Sequence, residues 1–214
     1  ATMAAASDLA AMGARPLGLL ASLALPDDVD DAVAGSAGLL FLEGYLFDKD
    51  KGKAAFLAAA RACRDGGGMA GITLSDPFCV DRHRADFRKL VTELDYVIGN
   101  EHEWCALYET DDLGTALEQA ASESGLIVCT RSGRDVVIVR GEDTVTVPVD
   151  EITPVDTTGA GDQFAAGFLY GLATGASLDV AGRMGCIAGA EVISHYGARP
   201  EADVKAMFRA EGLV

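Results

Sequence analysis

The 214 residues carry 17 Lys+Arg against 33 Asp+Glu, a formal net charge of −16. Half are hydrophobic and 23% are charged, a balance that supplies a core and excludes a disordered chain. An acidic excess of this size repels phosphate backbones and anionic lipid, so neither a nucleic acid nor a membrane is an expected partner.

The length suits one α/β domain over residues 1–214, with two small ones as the alternative. No apolar run approaches the roughly 20 residues that span a bilayer, and no basic stretch leads an apolar one as in a secretory signal. The five cysteines, Cys63, Cys79, Cys105, Cys129 and Cys186, are odd in number and form no C-x-x-C pair. They read as reduced thiols of a cytoplasmic protein.

Along the chain, stretches of period 3.6 alternate with short apolar runs. Met3 to Met12 predicts an Ala-rich helix, and Leu39 to Glu43 a buried strand between glycines. Lys51 to Arg64 is amphipathic and halts at Gly66-Gly67-Gly68. Met69 to Leu74 predicts a strand, Asp86 to Leu94 a helix, and Tyr96 to Ile98 a strand. The Asp81-Arg-His-Arg84 cluster between them reads as a solvated or ion-paired loop. Helices follow at Glu101–Tyr108 and Leu113–Ser124, then a strand at Leu126–Cys129. Val136–Val139 and Thr144–Val147 read as an antiparallel hairpin, and helices are predicted near 160–172, 178–194 and 201–210. This order predicts a three-layer αβα fold with a mostly parallel central sheet. Ligands of such sheets sit beyond the carboxyl ends of the strands.

The stretch richest in chemistry is Asp156-Thr-Thr-Gly-Ala-Gly-Asp162. Gly159-Ala160-Gly161 is a small-residue turn that opens a helix, whose first N–H groups lack intrahelical partners and attract an anion. Asp162 stands in the first turn. It either caps the helix or takes a proton from an attacking hydroxyl. No G-x-x-x-x-G-K-[ST] occurs, and the third glycine of a dinucleotide fingerprint is missing.

This stretch, with Phe164 and Ala166-Gly167-Phe168, resembles the C-terminal signature of the ribokinase-like (PfkB) carbohydrate and nucleoside kinases. The resemblance implies that Asp162 is the general base and that Gly159, Ala160 and Gly161 form the anion hole for the moving phosphoryl group. Asn100-Glu-His-Glu103 resembles the family's N-x-x-E element, which implies that Asn100 and Glu103 organise Mg²⁺ through water; alone, that spacing is weak and more often a helix cap. Thr130, Arg131, Ser132 and Gly133 resemble a nucleotide-contacting loop, although Asp135 stands where the family often has glycine. Gly185 and Ile187 would belong to the adenine-side wall. A monovalent-cation loop, for K⁺, would correspond to Asp156 and Thr158 with backbone oxygens of Val192, His195 and Gly197. Apart from the resemblance, Asp156 reads as an Asx-turn residue, His195 as a helix-end histidine and Cys186 as core. His102 lacks zinc-site spacing, and Trp104 reads as core.

Glu43-Gly-Tyr-Leu46, Thr73-Leu-Ser-Asp76 and Glu191 to Pro200 resemble the bacterial adenosine-kinase-like members. The expected activity is transfer of phosphate from ATP to a hydroxymethyl group of a nucleoside or sugar, in a chain that can form a homodimer. Such kinases are longer and carry early strands and a lid. The expectation is therefore a chain incomplete before Ala1, with an internal loss near 18–25 and weak turnover on its own. The alternative is a kinase-derived nucleotide-binding module without turnover.

Overall fold

The computed structural model describes residues 34–214. The helix expected over Met3–Met12 and the loss expected near 18–25 lie outside the described residues. The described residues cluster as two compact units, one of 34–132 and 137–144, the other of 133–136 and 145–214.

In the first unit, four parallel strands lie side by side: β1 (Leu39–Glu43), β2 (Met69–Thr73), β3 (Tyr96–Asn100) and β4 (Ile127–Arg131). Their registers pair Leu39 with Met69, Gly71 with Tyr96 and Val97 with Ile127. Parallel strands need long crossovers. These are α1 (Asp50–Asp65), α2 (Pro77–Glu93), and α3 (Glu101–Tyr108) with α4 (Leu113–Glu123). Helix α1 buries Phe56, Ala59, Ala60 and Cys63, spaced three and four apart as one helix face requires. Trp104, Tyr96 and Phe87 are almost wholly buried, and the Tyr96 hydroxyl donates to the Leu40 carbonyl at 2.7 Å.

Helix α2 begins nine residues before the predicted Asp86. Asp76 caps it, its Oδ1 accepting from the Cys79 N–H at 2.7 Å, and Pro77 fills the first turn, where a missing N–H costs nothing. The Asp81–Arg84 cluster is therefore helical rather than a loop, and it is ion-paired. Arg82 meets Asp48 at 3.0 Å, and Arg84 meets Asp81 and Glu109. The charges hid the helix because they dilute its apolar periodicity.

The sheet order is β1-β2-β3-β4-β5-β6, with β5 at Arg134–Arg140 and β6 at Asp143–Val147. Only Ser132-Gly133 joins β4 to β5, and only Gly141-Glu142 joins β5 to β6, which antiparallel neighbours alone allow.

The second unit holds α5 (Ala160–Ala173), α6 (Leu178–Val192) and α7 (Val204–Ala210) around Ala166, Met184, Ile187, Ala188, Val204 and Phe208. Helices α5 and α6 approach so closely that a Cβ on Gly167 would stand 2.5 Å from the Met184 carbonyl oxygen. Arg183 of α6 donates through Nε and Nη2 to Glu211 at 2.7 Å each and also meets Asp150 at 2.9 Å. Among the described residues, no helix is long and apolar enough to cross a membrane. All five cysteines are free.

Candidate active site

The start of α5 is built by its preceding loop. Asp156 makes an Asx turn: Oδ1 accepts from the Thr158 N–H at 2.9 Å and from the Thr158 hydroxyl at 2.7 Å. Its Oδ2 accepts from the Gly197 N–H at 3.0 Å, tying together loops far apart in sequence. These bonds, the Thr158 hydroxyl foremost, hold the Asp156 carboxyl below the usual aspartate pKa. Gly159 then turns left-handed at φ 82°, and a Cβ there would press on Ala198 at 2.8 Å.

Helix α5 thus starts at Ala160 with no side-chain cap. Neither threonine caps it, since Thr158 is engaged by Asp156. Asp162 stands at the surface in the first turn, and partial desolvation by the protein beneath raises its pKa above the ordinary value. Nothing lies within 4 Å of where a Cβ on Gly161 would be. The helix start accordingly carries partial positive charge on its N–H groups, that of Ala160 already donating to the Thr157 carbonyl at 3.2 Å, with a carboxylate of raised basicity alongside. Gln163, for which the sequence suggested no role, is fully buried behind Asp162 and reaches the Ala198 carbonyl at 3.5 Å.

In the other unit, Asn100 ends β3 and caps α3. Its Oδ1 accepts from the N–H groups of His102 at 2.9 Å and Glu103 at 3.0 Å. Glu103 answers: Oε2 accepts from the Asn100 N–H at 2.7 Å and Oε1 from Asn100 Nδ2 at 2.6 Å. This is a reciprocal capping box. Glu103 is only 4% exposed, and burial pushes its carboxyl up to about 7, opposed by the Asn100 N–H and helped by the charge of Asp76. Since both oxygens are engaged by Asn100, these groups suit a hard cation held through its water shell better than one bound directly.

Thr130 and Arg131 belong to β4 rather than to a loop, and Ser132-Gly133 is the tight turn after it. Both turn residues are left-handed, at φ 40° and 74°, as a two-residue hairpin turn demands. Gly185 and Ile187 are buried. A Cβ on Gly185 would meet the Phe164 ring at 2.8 Å, and Ile187 is in the apolar cluster of its unit. Val192 is fully buried at the end of α6. His195 lies 3.4 Å from Glu191, whose Oε1 accepts from the N–H groups of Glu201 and Ala202 at 2.8 Å each. Burial works against protonating His195, but the Tyr196 carbonyl and the Glu191 carboxylate outweigh it and raise its pKa. The structure thus joins Asp156, Thr158 and Gly197, while the His195 ring turns toward Glu191.

These features define an α/β protein with an anion-receptive helix start flanked by a carboxylate. The chain belongs to the pfkB family of carbohydrate kinases, whose model matches residues 19–205. An uncharacterized sugar kinase of Archaeoglobus fulgidus is 36% identical over 120 residues, 56% of this chain and 48% of that protein. An adenosine kinase of Schizosaccharomyces pombe is 32% identical over 143 residues, 59% of this chain and 42% of that protein. The crystal structure of an adenosine kinase from Sinorhizobium meliloti superposes with a TM-score of 0.85 at 39% identity, over 90% of this chain and 60% of that one. The fold is therefore the ribokinase-like α/β fold expected from the sequence. The chain spans about half the length of the curated relatives it matches.

Proposed function

We propose that the protein is an adenosine-kinase-like phosphotransferase, in which residues 1–214 are one ribokinase-like domain, the family match running through both compact units. The observation that carries this reading is the uncapped start of α5, open above Gly161, with Asp162 in its first turn. Mg·ATP supplies the phosphoryl group, and a nucleoside or sugar supplies a primary hydroxyl. Asp162 takes the proton of that hydroxyl as its oxygen attacks the γ-phosphorus and the bond to the ADP oxygen breaks. The N–H groups at Gly159, Ala160 and Gly161 stabilise the charge on the moving group.

Asn100 and Glu103 order water around Mg²⁺, and Thr130 to Gly133, Gly185 and Ile187 contribute to nucleotide binding. Asp156, Thr158, Val192, His195 and Gly197 are the groups for K⁺, with Asp156 also fixing the loop that shapes the helix start. Adenosine is the first acceptor to test and a furanose or hexose the next; a cytoplasmic setting and a homodimer belong to the same reading.

Asp162→Asn tests it. Turnover of ATP with adenosine or a sugar is expected to fall at least about 100-fold while ATP affinity stays within a few-fold, because the base acts in the transition state. Unchanged turnover removes Asp162 from the role. Calorimetric binding of ATP with no acceptor binding and no turnover favours the nucleotide-binding module instead.

A further inference from the structure

We propose that Asp48, Cys79 and His83 form a Zn²⁺ site that is separate from the residues assigned to phosphoryl transfer. A carboxylate oxygen of Asp48, the Cys79 sulfur and a ring nitrogen of His83 all lie within 4.8 Å of one another. Thiolate, imidazole and carboxylate together are the donors zinc takes.

The fold delivers them from two directions. Asp48 closes the 3₁₀ turn Gly44–Asp48 that follows β1. Cys79 and His83 stand four residues apart on α2, hence on one helix face. At His83 the backbone leaves helical geometry, with φ −121° and ψ 18°. The imidazole packs against both Phe47 and Phe87, with ring centroids 6.0 Å from each. Cys79 is fully buried, whereas the side chains of His83 and Asp48 are 18% and 36% exposed. The sulfur forms the floor and the other two donors the mouth, which leaves the solvent side for a water as fourth ligand.

His83 Nε2 and Asp48 Oδ1 are now 2.7 Å apart and share a hydrogen. Arg82 donates to both Asp48 oxygens at 3.0 Å. On binding, the cation takes the place of the shared hydrogen, which passes by way of solvent to His83 Nδ1 so that the imidazole stays neutral, and the Cys79 thiol proton leaves to solvent. Metal–sulfur, metal–nitrogen and metal–oxygen bonds form, and the His83–Asp48 pair opens to about 3.3 Å, the edge of a tetrahedron with bonds near 2.0 Å. Thiolate and carboxylate balance the two positive charges. Arg82 stays as the outer partner of the carboxylate, the kind of second contact that orients a metal ligand. The cation would fasten the turn after β1 to α2.

The test is a Co²⁺ titration of the full chain under a non-thiol reductant, followed by displacement with Zn²⁺. A single equivalent is expected to give tetrahedral visible bands and sulfur-to-cobalt charge transfer in the near ultraviolet, and Zn²⁺ is expected to raise the melting temperature. Cys79→Ser should abolish the charge-transfer band. His83→Gln and Asp48→Asn should each weaken binding by at least about tenfold. Those two change partly exposed side chains, so they decide the matter even if Cys79→Ser fails to fold. No charge-transfer band overturns the proposal. So does a band whose affinity is unchanged in His83→Gln and Asp48→Asn, as another thiol such as Cys105 would give.

Discussion

At the scale of single residues, Glu103 joins two properties that the sequence could not separate. Its spacing from Asn100 marked a helix cap and a cation-organising pair alike, and the structure realises the cap in full. What spacing could not convey is burial, which holds a protonated carboxyl up to about pH 7. The unfolded chain has lost that proton above roughly pH 4.3. Between these values the folded state binds a proton that the unfolded state does not, so stability falls as pH rises through the window. The loss reaches up to about 3 kcal/mol on the alkaline side. Glu103→Gln carries no such proton. Denaturant melts from pH 5 to 8 should show the wild type losing stability relative to Glu103→Gln, and parallel curves would refute the buried-proton account. Asp162, also raised, stands at the surface, where solvent screens its charge. Its expected signature is kinetic. In the role proposed for it, the base is active when ionised, so the acid limb of the rate profile should lie above that of an ordinary aspartate.

At the scale of elements, the sequence located almost every helix and strand among the described residues, because glycines and apolar periodicity punctuate them. It failed where local chemistry outweighs pattern. The helix expected from Asp86 in fact starts at Pro77, with Asp76 as its cap. Thr130 to Gly133 looked like an open loop and is a strand end with a tight turn. The α5–α6 contact was invisible because it consists of absences. Gly167→Ala measures it. Alanine gains about 1 kcal/mol of helix propensity over glycine. Against that, the new methyl would sit 2.5 Å from the Met184 backbone oxygen, which cannot swing aside as a side chain can. Overpacking of this kind costs about 1–3 kcal/mol. The expected net result is a loss of up to about 2 kcal/mol in urea unfolding, and a gain would show that the two helices can part without penalty.

For the whole molecule, the charge of −16 sets the long-range field. On the proposed function, a nucleoside triphosphate would approach a repelling surface, although the helix start would itself attract it. Salt shortens the reach of that repulsion, to about 8 Å at physiological ionic strength. Association of a fluorescent ATP analogue, followed by stopped flow, is therefore expected to accelerate as salt is raised from 20 to 200 mM. Slowing would mean that local attraction dominates even at long range. Family and fold were legible because the 156–162 stretch carries a dense local signature. Two small units stood only as an alternative on length, since no linker composition marks where the compact units divide. The Asp48, Cys79 and His83 grouping was hidden as well, because the 3₁₀ turn and α2 meet only in the folded chain.

The glycines of α5 differ in what holds them in place. Gly167 is required by a neighbouring backbone, whereas the position of Gly161 faces empty space and owes nothing to packing. A lineage evolved in the laboratory under selection for folding alone would keep the former and let the latter drift toward alanine or serine. Retention of glycine at 161 would then report continuing selection by a ligand, even in a culture whose substrate nobody had yet identified.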